Sequence, residues 1–195
     1  MMRIITGQAR GVRLKTPEGE HTRPTAERTK EAIFSMLQFD LYRANVLDLF
    51  AGSGQMALEA LSRGAEYAVL CDSSREAVEV IRDNATKTRL SDRCRVLGGD
   101  CFSALQAVKN RKFDLVFLDP PYAEGLIPRA LRALLAADLL ADGAKLVCEA
   151  ASFEDVFSND TALATHFEIL KQTHYGIAYV TVLQYNTNEK KESMI

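Results

Sequence analysis

Short apolar runs alternate with helical patterns along most of the chain. Near-continuous apolar strands joined by helices are typical of a buried parallel sheet, because right-handed βαβ crossovers place helices over both of its faces. The pattern therefore predicts an α/β fold. The apolar runs cover residues 45–50, 67–72, 93–100, 112–119 and 145–150, and the helical patterns cover 56–64, 74–90, 102–110 and 126–140.

The carboxyl-terminal part follows a different pattern. Residues 167–185 contain two β-prone runs that meet near Gly176, and this predicts an antiparallel hairpin on one edge of the sheet. With the five apolar runs, the hairpin gives a mostly parallel sheet of seven strands. Residues 187–195 are polar, and we expect them to form a disordered tail.

The amino-terminal part precedes the alternating pattern. The first twenty residues alternate apolar and basic positions around Gly7 and Gly11, which predicts a small hairpin. Residues 22–38 predict a helix, because Pro24 suits a first turn and the apolar side chains recur at helical spacing.

Charge is distributed unevenly along the chain. The net charge is −2, but residues 1–30 carry seven basic and three acidic side chains, which leaves 17 basic and 23 acidic side chains in the rest. The first thirty residues thus have a charge of +4, as expected of a phosphate-binding surface on an acidic protein, or of a solvated basic arm. We expect residues 1–43 to form a basic extension and residues 44–186 to form the main domain.

The remaining composition indicates a cytosolic protein without a metal site. No run approaches the ~18 uninterrupted apolar residues of a membrane span, and no apolar segment of a secretory signal begins the chain. The cysteines and histidines show no metal-ligand spacing, so we expect reduced thiols, no metal and no membrane contact. Nothing indicates an oligomer interface, and a monomer is expected. These residues are Cys71, Cys94, Cys101, Cys148, His21, His166 and His174.

A glycine loop follows the first apolar run and precedes a helical pattern. Gly52 and Gly54 permit positive φ and close approach of a ligand to the backbone, and the following helix offers free N–H groups. Asp72 ends the next apolar run, twenty residues after Gly52, where a carboxylate can accept hydrogen bonds from two ribose hydroxyls. The sequence of residues 52–57, GSGQMA, also matches the pattern G-x-G-x-x-A of dinucleotide-binding folds. It predicts an adenosine-type cofactor, with a tight turn that binds no ligand as the alternative.

Two further acids favour S-adenosylmethionine as this cofactor. Asp100, after the third apolar run, can face the adenine amino group, and Asp48 in the first run can reach a cationic amino-acid portion. A pyrophosphate would be repelled by Asp48, whereas a sulfonium ligand would be attracted to it. Asp48 could instead cap the loop through backbone N–H groups. The predicted cofactor-binding residues are Asp48, Phe50, Ala51, Gly52, Ser53, Gly54, Asp72, Ser73, Asp100, Cys101 and Asp119.

The fourth apolar run ends in the sequence Asp119-Pro120-Pro121-Tyr122. At the carboxyl end of a strand beside the glycine loop, this segment lies where a methyl acceptor would bind. An amine conjugated to an aromatic ring is a poor nucleophile. Asp119 and the Pro120 carbonyl can accept hydrogen bonds from its N–H groups and so orient its lone pair, while Tyr122 stacks on the base. The alternative is a rigid turn. We predict these four residues as the catalytic loop.

The chain resembles a known family through several segments in order and spacing. MRIITGQARG, TRPTAERTKEAIFSML, VLDLFAGSGQMALEALSRGA, RVLGGD and FDLVFLDPPY are similar to the bacterial 16S ribosomal RNA guanine-N2 methyltransferases usually called RsmD. The resemblance covers roughly residues 2–185. It implies a Rossmann-like class I methyltransferase fold and methylation of a loop guanine in 16S rRNA. It also implies a small ribosomal subunit, or an intermediate of its assembly, as the substrate.

The resemblance also assigns residues in the amino-terminal extension to RNA binding. A loop guanine can be flipped toward the site at low cost, and basic residues would hold the phosphates beside it. Alternatively, Arg23 and Arg28 pair with glutamates on their own helix. One departure from the family pattern is Gln55, which stands where relatives usually carry a small residue. The predicted RNA-binding residues are Arg10, Arg13, Arg23, Thr25 and Arg28.

Three other functions remain alternatives. A DNA adenine-N6 methyltransferase would use the same catalytic loop, but the chain has no target-recognition domain. A nucleotide-dependent oxidoreductase would use the glycine loop and leave the proline pair unexplained. A non-catalytic RNA-binding or assembly factor would not need an intact cofactor loop.

Overall fold

The computed structural model of the chain describes residues 2–18, 24–121 and 125–187. The hypotheses about Arg23, Tyr122 and most of the tail lie outside the described residues, as does the side chain of Thr25. The strands are β1 (Asn45–Asp48), β2 (Tyr67–Asp72), β3 (Cys94–Gly98), β4 (Phe113–Leu118), β5 (Leu140–Ala150), β6 (Phe167–Tyr175) and β7 (Ala178–Tyr185). The helices are α1 (Pro24–Met36), α2 (Gln55–Ser62), α3 (Arg75–Thr88), α4 (Cys101–Gln106), α5 (Leu126–Ala136) and α6 (Thr161–Ala164).

The strands form one seven-stranded sheet in the order β3-β2-β1-β4-β5-β7-β6. The first five strands are parallel, and β7 and β6 pair antiparallel at one end. This confirms the predicted α/β fold and the carboxyl-terminal hairpin, whose turn contains Gly176 with a φ of 62°. Among the helices described, none is long and apolar enough to cross a membrane.

Strand β5 begins five residues before the predicted residue 145. Leu140 pairs with Phe113, and the register then shifts so that Leu115 pairs with Lys145. Gly143 lies in this irregular stretch with a φ of 75°. Asp142 and Gly143 are a turn signal in the sequence, so the local pattern indicated a loop where the strand instead absorbs a bulge.

The core consists of two layers, one on each face of the sheet. The layer on one face is formed with α4 and α5. The other layer includes α1, α2 and the amino-terminal loop, which contributes Ile4, Ala9 and Leu14. That loop is closed by a single antiparallel bridge between Arg3 and Arg13, with backbone bonds that join Ile4 to Val12 and Leu14 to Met2. It is therefore an irregular hairpin whose apolar residues belong to the core of the main domain.

Helix α2 holds this loop through one buried carboxylate. Glu59 is fully buried, and its two oxygens accept the backbone N–H groups of Ile5 at 2.7 Å and Thr6 at 3.0 Å. The Lys30 amine from α1 lies 3.5 Å from the same carboxylate, and Arg63 lies 2.8 Å from it. Lys30 is itself buried and also donates to the Arg3 carbonyl at 2.7 Å.

One turn further along α2, a second side chain binds the amino-terminal loop. Ser62 donates its hydroxyl to the Thr6 carbonyl at 2.6 Å and accepts the Ala9 N–H at 3.0 Å. The backbone approaches so closely that a Cβ on Gly7 would lie 1.8 Å from the Ser62 carbonyl oxygen. Gly7 also has a φ of 86°. Glycine is thus required there by both contact and conformation.

We predict that Glu59→Gln destabilises the fold strongly. The substitution removes one backbone acceptor and leaves the buried Lys30 amine without its charge partner, and breaking a buried ion pair in this way costs about 3–5 kcal/mol. Urea unfolding monitored by circular dichroism would measure it. The matched control is Glu79→Gln, because Glu79 forms an exposed i,i+4 pair with Arg75 and such pairs contribute about 0.5 kcal/mol or less. Equal effects of the two substitutions would contradict the role of Glu59.

Candidate active site

The glycine loop lies at the carboxyl edge of the sheet, at the point where the strand order reverses. β1 has β2 on one side and β4 on the other, and such switch points are where open α/β sheets bind ligands. Gly52 and Gly54 have φ angles of 53° and 77°. A Cβ on Gly54 would lie 3.0 Å from Leu70 and 3.3 Å from Ile81. Gly54 therefore permits both the turn and the close packing of α2 on the sheet.

Asp72 connects the glycine loop to the start of α3. One of its carboxylate oxygens accepts the Gly52 N–H and the other accepts the Ser74 N–H, both at 2.8 Å. A carboxylate offers about four lone-pair positions, so these two bonds leave positions for two hydroxyl donors. Asp72 is half-buried and the neighbouring Ser73 is exposed. This geometry fits the predicted ribose contact, which stays a prediction.

Asp48 is buried beneath the loop. Its side chain is 3% exposed, and burial raises the pKa of its carboxyl group to about 7, against the backbone N–H groups of Ala57 and Phe50 that favour the charged form. These contacts correspond to the alternative interpretation, in which Asp48 caps the loop. Contact with a cationic ligand stays a prediction.

Asp100 lies at the carboxyl edge after β3 and caps α4. Its carboxylate accepts the Ser103 N–H at 2.8 Å and the Ser103 hydroxyl at 3.0 Å, and the residue is exposed. Cys101 beside it is buried, and burial raises the pKa of its thiol. Asp100 is thus held in place at the edge where an adenine would lie.

The side chain of Ser53 is buried against the amino-terminal segment. It is 2% exposed, and its hydroxyl donates to the sulfur of Met2 at 2.9 Å. Its carbonyl accepts the amide of Asn84 at 2.9 Å, and the same amide group donates to the Lys15 carbonyl at 3.0 Å. The loop is therefore braced from behind by the amino-terminal segment and α3.

Sequence reasoning missed Asn84 and Glu59 as supports of the site. Asn84 is fully buried, and its side-chain oxygen also accepts the Lys15 N–H at 2.8 Å. The available signal was its position: Asn84 falls on the helical stripe of α3 that Ala77, Ile81 and Thr88 share. A polar residue on such a stripe requires buried hydrogen-bond partners.

Asp119 and Pro120 follow β4 beside the glycine loop. Asp48 pairs in register with Phe117, so the chain leaves β1 and β4 at the same level of the same edge. Asp119 and Pro121 are exposed, whereas Pro120 between them is buried. The buried ring fixes the chain, and the acid on its amino side faces outward next to the loop.

The arginines of the amino-terminal segment are exposed at Arg10, Arg13 and Arg28. Within the described ranges, no acidic side chain forms an ion pair with these three. Glu27 pairs with Arg3 at 2.9 Å, so the alternative pairing of Arg28 with Glu27 on its own helix does not form. The part of the chain that the structure describes also contains no cluster of His, Cys, Asp and Glu suited to a metal ion.

Comparison with known proteins identifies the family. The model of the family described as "Conserved hypothetical protein 95" matches residues 2–184. The chain belongs to this family. Among curated proteins, it is 37% identical to "Ribosomal RNA small subunit methyltransferase D" of Escherichia coli (strain K12) over 148 residues, 76% of this chain and 74% of that one. The match confirms the family resemblance that the sequence motifs indicated.

Two solved structures have the same fold as this chain. A hypothetical protein of Thermus thermophilus superposes with a TM-score of 0.74 at 31% identity, over 93% of this chain and 98% of that one. The O-methyltransferase from Bacillus cereus in complex with SAH has a TM-score of 0.68 at 17% identity, over 85% and 83% of the two chains. The fold is thus the Rossmann-like class I methyltransferase fold.

We predict that Asp48 makes the stability of the protein depend on pH between about 4 and 7. The folded state keeps the Asp48 proton up to a pKa of about 7, whereas the unfolded chain loses it near ~3.9. The folded state then binds more protons in this window, so stability falls as pH rises and levels off above it. The loss is about 4 kcal/mol.

Urea unfolding of the wild type and of Asp48→Asn at pH 5 and pH 8 would measure this effect. The stability difference between the two pH values should shrink in Asp48→Asn and persist in the exposed control Asp92→Asn. An unchanged pH difference in Asp48→Asn would show that Asp48 does not carry it.

Proposed function

We propose that the chain is an S-adenosylmethionine-dependent methyltransferase that modifies the N2 amino group of a loop guanine in 16S rRNA. The observation that carries this proposal is the position of Asp119 beside the braced glycine loop, at the switch point of the sheet. Relatives in the same family are named ribosomal RNA small subunit methyltransferase D. The fold neighbour from Bacillus cereus was solved with SAH.

The described residues fit the cofactor. Asp72 keeps lone pairs for two ribose hydroxyls after its bonds to Gly52 and Ser74. Asp100 is fixed and exposed at the end of β3, where it can accept from an adenine amino group. Gly52 and Gly54 let the backbone lie close to the ligand. S-adenosylmethionine supplies an electrophilic methyl group when it is bound.

Asp119 acts on the acceptor amine. The exocyclic nitrogen of guanine is conjugated to the ring, so its lone pair is poorly available. Asp119 accepts one N–H and the Pro120 carbonyl accepts the other, and the nitrogen is turned toward the methyl group. Transfer would form the nitrogen–carbon bond, break the carbon–sulfur bond of the donor and leave a positive charge on the nitrogen. The Asp119 carboxylate stabilises this charge until the proton passes to water.

The exposed arginines of the amino-terminal segment hold the RNA. Arg10, Arg13 and Arg28 have no ion-pair partner among the described side chains, so their guanidinium groups are available to phosphates. Helix α2 fixes the loop of Arg10 and Arg13 through Glu59 and Ser62. The RNA contacts are therefore held at a constant position relative to the glycine loop. The remaining proposed contacts are Arg23 and Thr25.

The function is tested by offering labelled S-adenosylmethionine with three acceptors: small subunits that lack the modification, naked 16S rRNA, and unmethylated DNA. Digestion and chromatography then identify the methylated nucleoside. N2-methylguanosine from the subunit or its RNA is expected, and comparison of the two shows whether assembly is needed. N6-methyladenine from DNA would overturn both the polymer and the base, and no transfer to any acceptor would overturn the proposal.

We predict that substitutions of Asp119 and Asp72 affect different steps, methyl transfer and cofactor binding respectively. Asp119→Ala should abolish methyl transfer with little change in the Kd for S-adenosylmethionine, because its carboxylate faces the acceptor. Asp72→Ala should raise that Kd at least tenfold, because the ribose acceptor and the Gly52 and Ser74 bonds are lost together. Calorimetry and single-turnover transfer measure the two quantities. Equal loss of both quantities in both variants would contradict this division.

We also predict that Arg10→Ala combined with Arg28→Ala weakens RNA binding through lost phosphate contacts. The slope of log K against log salt should become less steep by about 1.4–1.8, the contribution of two phosphates. Fluorescence anisotropy with naked 16S rRNA at several salt concentrations measures it. An unaltered slope would show that the two arginines are only solvated.

A further inference from the structure

The sheet face beneath α4 is only partly covered. α4 has six residues and is about 9 Å long, whereas β2 also has six residues and extends about 20 Å. On this face, only the segment after α4 therefore lies over the amino-terminal half of β2 and β3. Parallel sheets usually carry apolar side chains on both faces, but here Tyr67 and Arg95 occupy that face.

A cleft of about 270 Å³ opens at this position. Its lining includes Tyr67, Val69, Arg95, Gln106, Lys109 and Arg111, and no acidic side chain among the described residues lines it. Three cationic groups therefore surround one cleft in a chain whose net charge is −2. Tyr67 is the first residue of β2, and Arg111 lies just before β4. The cleft is thus at the edge of the sheet opposite the glycine loop.

Both guanidinium groups are held in place by neighbours. Arg111 donates to the Asn45 side chain at 2.7 Å and lies 4.3 Å over the Tyr67 ring. Arg95 donates to the Ala107 carbonyl at 3.2 Å, near the end of α4. Each guanidinium has five N–H donors, so one anchoring bond leaves other donors available to a ligand.

A purely structural role explains this arrangement incompletely. Capping of α4 accounts for one bond of Arg95, and packing on Tyr67 accounts for the position of Arg111. Neither role explains why the exposed Lys109 also lines the cleft. Neither role explains why no acidic side chain lies among the described lining residues. Fixed, forked donors with a nearby ammonium are the arrangement that binds phosphate oxygens.

We propose that this cleft binds a phosphate group, and that its occupant is a backbone phosphate of the RNA substrate. The choice of RNA rests on the proposed function. Because the cleft and the glycine loop lie at opposite edges of the sheet, one short loop cannot fill both. The cleft therefore contacts a second segment of a large folded RNA and positions it without reading sequence.

The first experiment tests the phosphate site without RNA. Inorganic pyrophosphate is titrated into the wild-type protein, and the backbone amides are followed by NMR. Saturable shifts of the amides of residues 106–111 are expected, with reduced shifts in the variant Arg95→Gln/Lys109→Gln. Absence of saturable shifts in the wild type would overturn the proposal.

The second experiment tests the source of the phosphate. The cleft variant is compared with Lys87→Gln/Lys171→Gln, which removes two exposed positive charges elsewhere. With full-length 16S rRNA, the cleft variant should have a salt slope less steep by about 1.4–1.8 and the control should retain the wild-type slope. With a short stem–loop that carries only the target guanine, neither should differ from the wild type.

The outcomes separate this proposal from the proposed function. If the wild type methylates 16S rRNA but the cleft variant keeps the wild-type slope, the RNA contact is wrong and the function stands. If the wild type neither binds nor methylates RNA, the proposed function and the RNA occupant fail together. The pyrophosphate titration then decides on its own whether the cleft is a site for free phosphate groups.

Discussion

The buried carboxylate of Glu59 is the contact on which the arrangement of this protein depends. It joins the backbone of Ile5 and Thr6, the amine of Lys30 and the guanidinium of Arg63 to helix α2. A buried charge is stable only when all its lone pairs are used, and these four partners do so. Because α2 begins directly after the glycine loop, the same helix positions the amino-terminal segment and the proposed cofactor site.

Polar contacts behind the glycine loop extend this connection. The Asn84 side chain donates to the carbonyls of both Ser53 and Lys15, and the Ser53 hydroxyl donates to the sulfur of Met2. The loop is thereby fixed from its buried side, while Asp72 fixes Gly52 from the other. A site prepared in this way needs little rearrangement when a ligand binds. It also keeps the proposed RNA contacts and the methyl donor at one mutual distance.

The two edges of the sheet differ in the charge of the side chains that they carry. The carboxyl edge carries the acids Asp72, Asp100 and Asp119 around the glycine loop, which suits a cationic donor and an amine acceptor. The amino edge carries a cleft with Arg95 and Arg111, which suits phosphate. In a protein of net charge −2, this separation would keep the cationic groups of the proposed phosphate site away from the proposed cationic cofactor.

The sequence by itself determined the parallel sheet, the terminal hairpin, the glycine loop and its acid, because these depend on short-range periodicity and on turn chemistry. Only the tertiary structure decided the burial of Asp48, the roles of Glu59 and Asn84, the bulge in β5 and the cleft below α4. The amino-terminal partners of Glu59 and Asn84 lie 53 to 69 residues away from them in sequence. No local pattern contains such contacts, since they exist only after the layers of the sheet have packed.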